Sequence, residues 1–131
     1  MTSVTLPRAG ALPEYGHYID GRSAAPSSGE HMLTDDPFTG RAWARIARGT
    51  RVDVEAAVSA AARAFRHGPW PAMTASERGR LLWRLADAVT ANAERLAEVE
   101  RRDNGKLASE VTAQVRYMGD YFKYCVGLFV P

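Results

Sequence analysis

The chain has 131 residues, of which 46% are hydrophobic and 24% charged, with a formal net charge of +2. That is the composition of an ordinary globular segment, and it excludes a disordered chain and a strongly basic nucleic-acid binder. One cysteine, Cys125, excludes a disulfide framework within the chain, and no run approaches the roughly 20 apolar residues that span a bilayer, so the cytosol and no membrane partner are expected.

Residues 1–14 carry Pro7, Gly10 and Pro13 with little periodicity and are expected to form a flexible N-terminal arm. Two short runs then flank Asp20-Gly21, a pair that accepts the positive φ angles of a type I′ turn, so a β-hairpin is predicted over 16–24. A short strand is predicted at Met32–Thr34, then a turn at Asp36-Pro37-Phe38-Thr39-Gly40. Arg41 to Arg48 alternates, with Ala42, Ala44 and Ile46 on one face and Trp43, Arg45 and Ala47 on the other, which predicts a strand.

After Gly49 the period lengthens. Val54, Ala57, Val58, Ala61 and Phe65 share one face of a helix, with Thr50 as a candidate N-cap and Asp53 three residues on. Gly68-Pro69-Trp70-Pro71 ends it. Thr74-x-x-Glu77 is a capping box and opens a second helix. Its apolar stripe of Leu81, Leu82, Leu85, Val89, Leu96 and Val99 predicts one rod over 75–102, stopped by Gly105. A third helix is predicted from about 108, with Val111, Val115, Met118, Phe122, Cys125 and Phe129 as its apolar face.

Chemistry is sparse. No G-x-G-x-x-G or G-x-x-x-x-G-K-[ST] phosphate loop occurs. His17, His31 and His67 lie too far apart in sequence for zinc spacing, while Asp35-Asp36 and Asp103-Asn104 offer oxygen either to a hard cation or to turns and caps. Cys125 could act as a thiolate only beside a base, and its place on an apolar stripe favours packing. Tyr117, Tyr121 and Tyr124 could line a ligand pocket or form core. Lys106 and Lys123 are the only lysines, so 15 of the 17 basic residues are arginine. Arg78, Arg80 and Arg84 could hold a phosphate, but along 77–102 arginines alternate with Glu77, Asp87, Glu94, Glu98 and Glu100, as on a solvated helix face.

The order of these motifs resembles the aldehyde dehydrogenase superfamily. Tyr18-Ile19-Asp20-Gly21 is similar to the family's opening hairpin, and Asp36-Pro37-Phe38-Thr39-Gly40 to its N-P-x-T-G turn, with aspartate in place of asparagine. Arg51-Val52-Asp53-Val54 onward is similar to its first helix, Trp70 with Ala75 to Leu82 to the start of the long helix, and Arg102 to Leu107 to its D-N-G-K end. Tyr121 to Gly127 is similar to the close of the third helix.

The resemblance implies an α/β fold class: short hairpin and strands followed by three helices, with residues 15–131 as an incomplete N-terminal part of the cofactor-binding domain. It implies oxidation of an aldehyde substrate with NAD or NADP by an enzyme that is a homo-oligomer. The family's catalytic cysteine, general base, oxyanion-hole asparagine and nicotinamide-binding residues have no counterparts here. This chain alone is therefore expected to bind no cofactor, to be inactive and to self-associate. Two roles carry over by position. Thr34, Asp35 and Asp103 match residues that hold a monovalent cation in some members. Gln114 and Tyr117 match, within one residue, positions that line the aldehyde tunnel in some members. The alternative reading is a stand-alone helical protein that docks on a full-length dehydrogenase.

Overall fold

The computed structural model describes residues 11–129, with side chains to residue 128, and divides into two compact units, Met1–Ala62 and Arg63–Pro131. Residues 1–10 of the expected arm, and the apolar end at 129–131 apart from the backbone of Phe129, lie outside the described residues. Pro13 and Glu14, expected to belong to the arm, take part in the sheet. The Pro13 carbonyl accepts the Arg45 N–H at 2.9 Å, and Glu14–Tyr15 form a strand.

Among the described residues the first unit holds five strands: β1 (Glu14–Tyr15), β2 (His17–Ile19), β3 (Arg22–Ala24), β4 (His31–Asp36) and β5 (Arg41–Ala47). β2 and β3 form the expected hairpin. Asp20 and Gly21 have φ of 57° and 75°, the two positive angles a type I′ turn needs, and the Tyr18 hydroxyl donates to the Gly21 carbonyl. The other three strands form a sheet in the order β1-β5-β4, with β1 parallel and β4 antiparallel to β5.

β4 is longer than the expected 32–34 because Asp36 ends it. The Asp36 carboxylate accepts the N–H groups of Phe38 and Thr39, and its carbonyl accepts that of Gly40, so this residue closes the turn locally. The expected alternation of β5 breaks at Trp43. Ala44 pairs with Thr34 and Ala42 with Asp35, which leaves Trp43 as the extra residue of a bulge. Trp43 and Ala44 are consequently both buried, and Trp43 meets Tyr15 edge-on at 6.0 Å.

α1 (Arg51–His67) begins in the first unit. Its buried residues are Asp53 and Ala60, whereas Val54, Val58 and Phe65 of the expected core stripe are exposed. The second unit contains a short 3-10 turn at Trp70–Ala72, then α2 (Ala75–Ala91), α3 (Ala93–Asn104) and α4 (Ala108–Phe129).

The expected single rod over 75–102 is two helices, so there are four α-helices among the described residues where three were expected. The break is at Asn92, whose side-chain amide donates to the Ala88 carbonyl at 2.8 Å while its backbone adopts φ −108° and ψ 14°. An asparagine side chain that competes for the backbone carbonyls in this way interrupts a helix that propensity alone would continue. The capping box at Thr74 and Glu77 and the left-handed stop at Gly105 (φ 74°) form as expected.

Small residues line the core of the second unit. Ala93, Ala97, Val111 and Val115 form its buried cluster, joined by Val89, and Gly79, Ala86 and Gly119 are also buried. Leu85, Leu96 and Met118 are by contrast 45%, 42% and 45% exposed. Of the expected stripe, Val89 stays on the contact and Leu81 and Leu82 are half-buried, while Leu85 turns outward because α2 and α4 meet through alanine and glycine. Along α4 the buried positions run 111, 115, 119 and 126, so Gly119 takes the place expected of Met118.

Candidate functional site

Gly105 turns the chain out of α3, and the Asn104 carboxamide accepts the Lys106 N–H at 3.0 Å, fixing the short link to α4. α4 then presents Gln114, Tyr117, Tyr121 and Tyr124 at helical spacing to solvent, with the tyrosines 67%, 53% and 63% exposed. The structure thus brings the two candidate tunnel residues, Gln114 and Tyr117, onto one face, and makes the tyrosines a surface feature. The Tyr117 and Tyr121 rings lie 6.3 Å apart at a tilt of 33°. A hydrogen bond with Cys125 raises the pKa of the Tyr121 hydroxyl above the usual phenol range. Cys125 is accordingly half-buried beside Tyr121, and is less enclosed than its reading as core implied.

A polar network borders this face. Lys106 Nζ donates to Glu100 Oε1 at 2.7 Å and to Gln114 Oε1 at 3.3 Å, and Asn104 Nδ2 donates to the same Glu100 oxygen at 3.2 Å. The Lys106 hydrogen bond, helped by its charge and by Asn104, holds the Glu100 carboxyl below its ordinary pKa against the cost of burial. Sequence reasoning noted Lys106 only inside a motif, because nothing in the spacing of 100, 106 and 114 advertises a bridge across a glycine stop.

The candidate cation residues fall in different units. Thr34 and Asp35, adjacent in β4, pair on either side of the β5 bulge, Thr34 half-buried and Asp35 exposed, and Asp103 lies exposed in the last turn of α3. Among the described residues no group of three or more His, Cys, Asp or Glu side chains gathers to hold a metal ion. Of the arginine cluster, Arg78 donates to the Met73 carbonyl at 3.1 Å and so serves the local fold. Arg80 and Arg84 instead border a cleft of about 510 Å³ beside Trp83, Leu81 and Met73.

The first unit contains a buried carboxylate that sequence reasoning placed only as a helix-start residue. Asp53 accepts the backbone N–H groups of Ser27 and Thr50 at 3.0 and 2.8 Å and both hydroxyls at 2.9 and 3.0 Å, and His17 Nε2 stands 3.9 Å away. The backbone bond from Thr50 is the chief cause of a pKa lowered to about 2, with desolvation opposing it and Ser27 assisting.

A model of the aldehyde dehydrogenase family matches residues 24–130, from the end of β3 through β4 and β5 to α4. The chain belongs to the aldehyde dehydrogenase family.

Individual dehydrogenases agree. The chain is 42% identical over 117 residues to a (Z)-2-((N-methylformamido)methylene)-5-hydroxybutyrolactone dehydrogenase of Acinetobacter baylyi, covering 89% of this chain and 24% of that one. An NAD-dependent aldehyde dehydrogenase from Sinorhizobium meliloti superposes with a TM-score of 0.84 at 31% identity, over 89% of this chain and 24% of the other. An aldehyde dehydrogenase from Bacillus cereus, solved as its NAD⁺ complex, gives 0.82 at 32% identity over 87% and 23%. The chain therefore spans about a quarter of the length of these dehydrogenases. No helix among the described residues is long and apolar enough to cross a membrane.

Proposed function

We propose that the whole protein is an NAD(P)-linked aldehyde dehydrogenase, a homo-oligomer of the cytosol, in which this chain supplies scaffold and part of the wall along which the aldehyde approaches. The family match over 24–130 carries the reading. The exposed face of α4, where Gln114 and Tyr117 stand together, is the part of the chain best suited to that wall.

The start of α1 does not suit the phosphates of a nicotinamide dinucleotide. Phosphates bind where a helix N-terminus offers free N–H groups. At the junction of β5 with α1 the Asp53 carboxylate already takes the Thr50 N–H, and a phosphate there would meet a like charge. The reading consequently assigns the cofactor and the bond-making residues to other parts of the protein, and this chain alone is inactive. Thr34 and Asp35 on one unit and Asp103 on the other remain separate candidate oxygen donors for a monovalent cation.

The test is an assay of the native polypeptide purified from its source cell. Aldehydes are offered with NAD⁺ or NADP⁺, reading reduced nicotinamide by absorbance and the carboxylic acid by mass spectrometry. Acid formed in step with reduced nicotinamide is expected. A native polypeptide that forms no acid from any aldehyde overturns the reading. Thermal melts of the same protein in K⁺, Na⁺ and choline at matched conductivity check the cation donors, and equal melting temperatures would remove them.

A further inference from the structure

Lys106 reaches across the stop between α3 and α4 and touches Gln114 (3.3 Å), with Glu100 holding it from the other side (2.7 Å). A lysine ammonium has three donors and no acceptor. It can meet a glutamine only at the carboxamide oxygen, so the amide NH₂ must turn away from it. Among the described residues that NH₂ has no protein partner, and Gln114 is exposed. One and two turns along the helix, Tyr117 and Tyr121 provide ring surface with centroids 6.3 Å apart. The face thus combines aromatic surface with a hydrogen-bond donor whose orientation is set from behind.

We infer that Lys106 is a positioning residue: it holds the Gln114 carboxamide with its N–H donors toward the substrate side, and so favours aldehydes that carry a hydrogen-bond acceptor away from the reacting carbon. The inference rests on the reading that this face of α4 meets the substrate. Glu100 completes the device, because it anchors the ammonium that would otherwise sample several rotamers. Without Lys106 the carboxamide can rotate and present oxygen or nitrogen with similar ease, and the preference for an acceptor fades.

The experiment uses the native polypeptide and two aldehydes of equal length, one with a terminal methoxy group and one plain alkyl. The quantity read is the ratio of their kcat/KM values, with kcat and KM reported separately. Lys106→Met, which keeps the aliphatic stem, is expected to lower the ratio about two- to fivefold through KM of the methoxy aldehyde, the scale of one exposed charged contact. Lys106→Arg, again a donor without an acceptor, is expected to restore it. Gln114→Glu, which replaces the donors with acceptors, is expected to shift preference toward an aldehyde bearing an ammonium group. A purely structural role for Lys106 would lower both substrates alike and leave the ratio unchanged, and that result overturns the inference. If the unaltered protein oxidises alkyl aldehydes but shows no preference that any of these variants moves, the positioning role alone fails. If it oxidises no aldehyde, the underlying reading fails with it.

Discussion

Asp53, in the first turn of α1, accepts the backbone N–H of Ser27 at 3.0 Å across 26 residues of sequence. The same carboxylate takes the Thr50 N–H, so one side chain satisfies an orphan donor of the helix start and pins the loop that follows the hairpin. Asp53→Ala leaves both N–H groups without their acceptor and the Ser27 and Thr50 hydroxyls with only each other, 2.7 Å apart. Asp53→Asn keeps the shape but places an NH₂ among donors. Both variants are expected to lower the denaturation midpoint, and limited proteolysis is expected to cut first near residues 25–30. An unchanged midpoint in Asp53→Ala would show that water replaces the carboxylate at no cost.

The same contact sets an acid limit. Asp53 has an ordinary pKa of 3.8 and a folded value of about 2. A depressed folded value means the unfolded chain binds the proton more readily, so the stabilisation is complete above 3.8 and is lost as pH falls toward about 2. Glu77, held down chiefly by the Thr74 backbone N–H, and Glu100, held down chiefly by Lys106, act in the same sense. Urea midpoints measured across that window should fall with pH in the unaltered chain and fall less in Asp53→Asn. Parallel curves would remove Asp53 from the acid transition.

Local signals in the sequence were reliable where one residue decides the backbone. Asp20-Gly21, Thr74-Glu77 and Gly105 each impose a geometry that tertiary context has little power to change, and each is where its chemistry placed it. The order of those signals, read as a resemblance, also marked the family. Errors arose where a decision is made between elements. The bulge at Trp43 depends on the partner strand, and the break at Asn92 on a side chain outcompeting the ladder. The face of α2 that is buried depends on how closely Gly79, Ala86 and Gly119 let two helices approach, which a count of leucines does not register. In the candidate site, Gln114 and Tyr117 were legible only through resemblance. The Lys106 bridge was not, because it is made by a turn whose closure brings residues eight apart together.

Exposed apolar surface predicts association of the isolated chain. Val54 and Val58 on α1 are 58% and 62% exposed, and Tyr117, Tyr124 and Leu128 on α4 are exposed to a similar degree. Large exposed apolar patches are rare on a solitary soluble protein, and each of these helices offers several exposed apolar side chains. The 131-residue chain expressed alone should therefore sediment with a weight-average mass that rises with concentration. Val54→Lys combined with Val58→Glu, which places opposite charges one turn apart on the helix, should reduce that rise. A monodisperse monomer over a hundredfold range of concentration would contradict the prediction.

Gly119 tests the packing of α4 most directly. In an exposed helix, glycine to alanine gains about 1 kcal/mol. At this position an added Cβ would lie 2.3 Å from Thr90 Oγ1 and 3.2 Å from the Ala86 carbonyl oxygen. Thr90 cannot simply rotate aside, because its hydroxyl donates to that same carbonyl at 3.0 Å. The crowding should reverse the sign, with Gly119→Ala destabilising by about 1–3 kcal/mol, the range for overpacking a close contact. Removing the obstructing hydroxyl should recover part of the loss, so Thr90→Ala is expected to cost less in the Gly119→Ala background than in the unaltered chain. A double-mutant cycle by urea denaturation measures the difference. If the two substitutions are additive, α2 and α4 are not in contact through Gly119 and Thr90, and the small-residue interface described for the second unit is wrong.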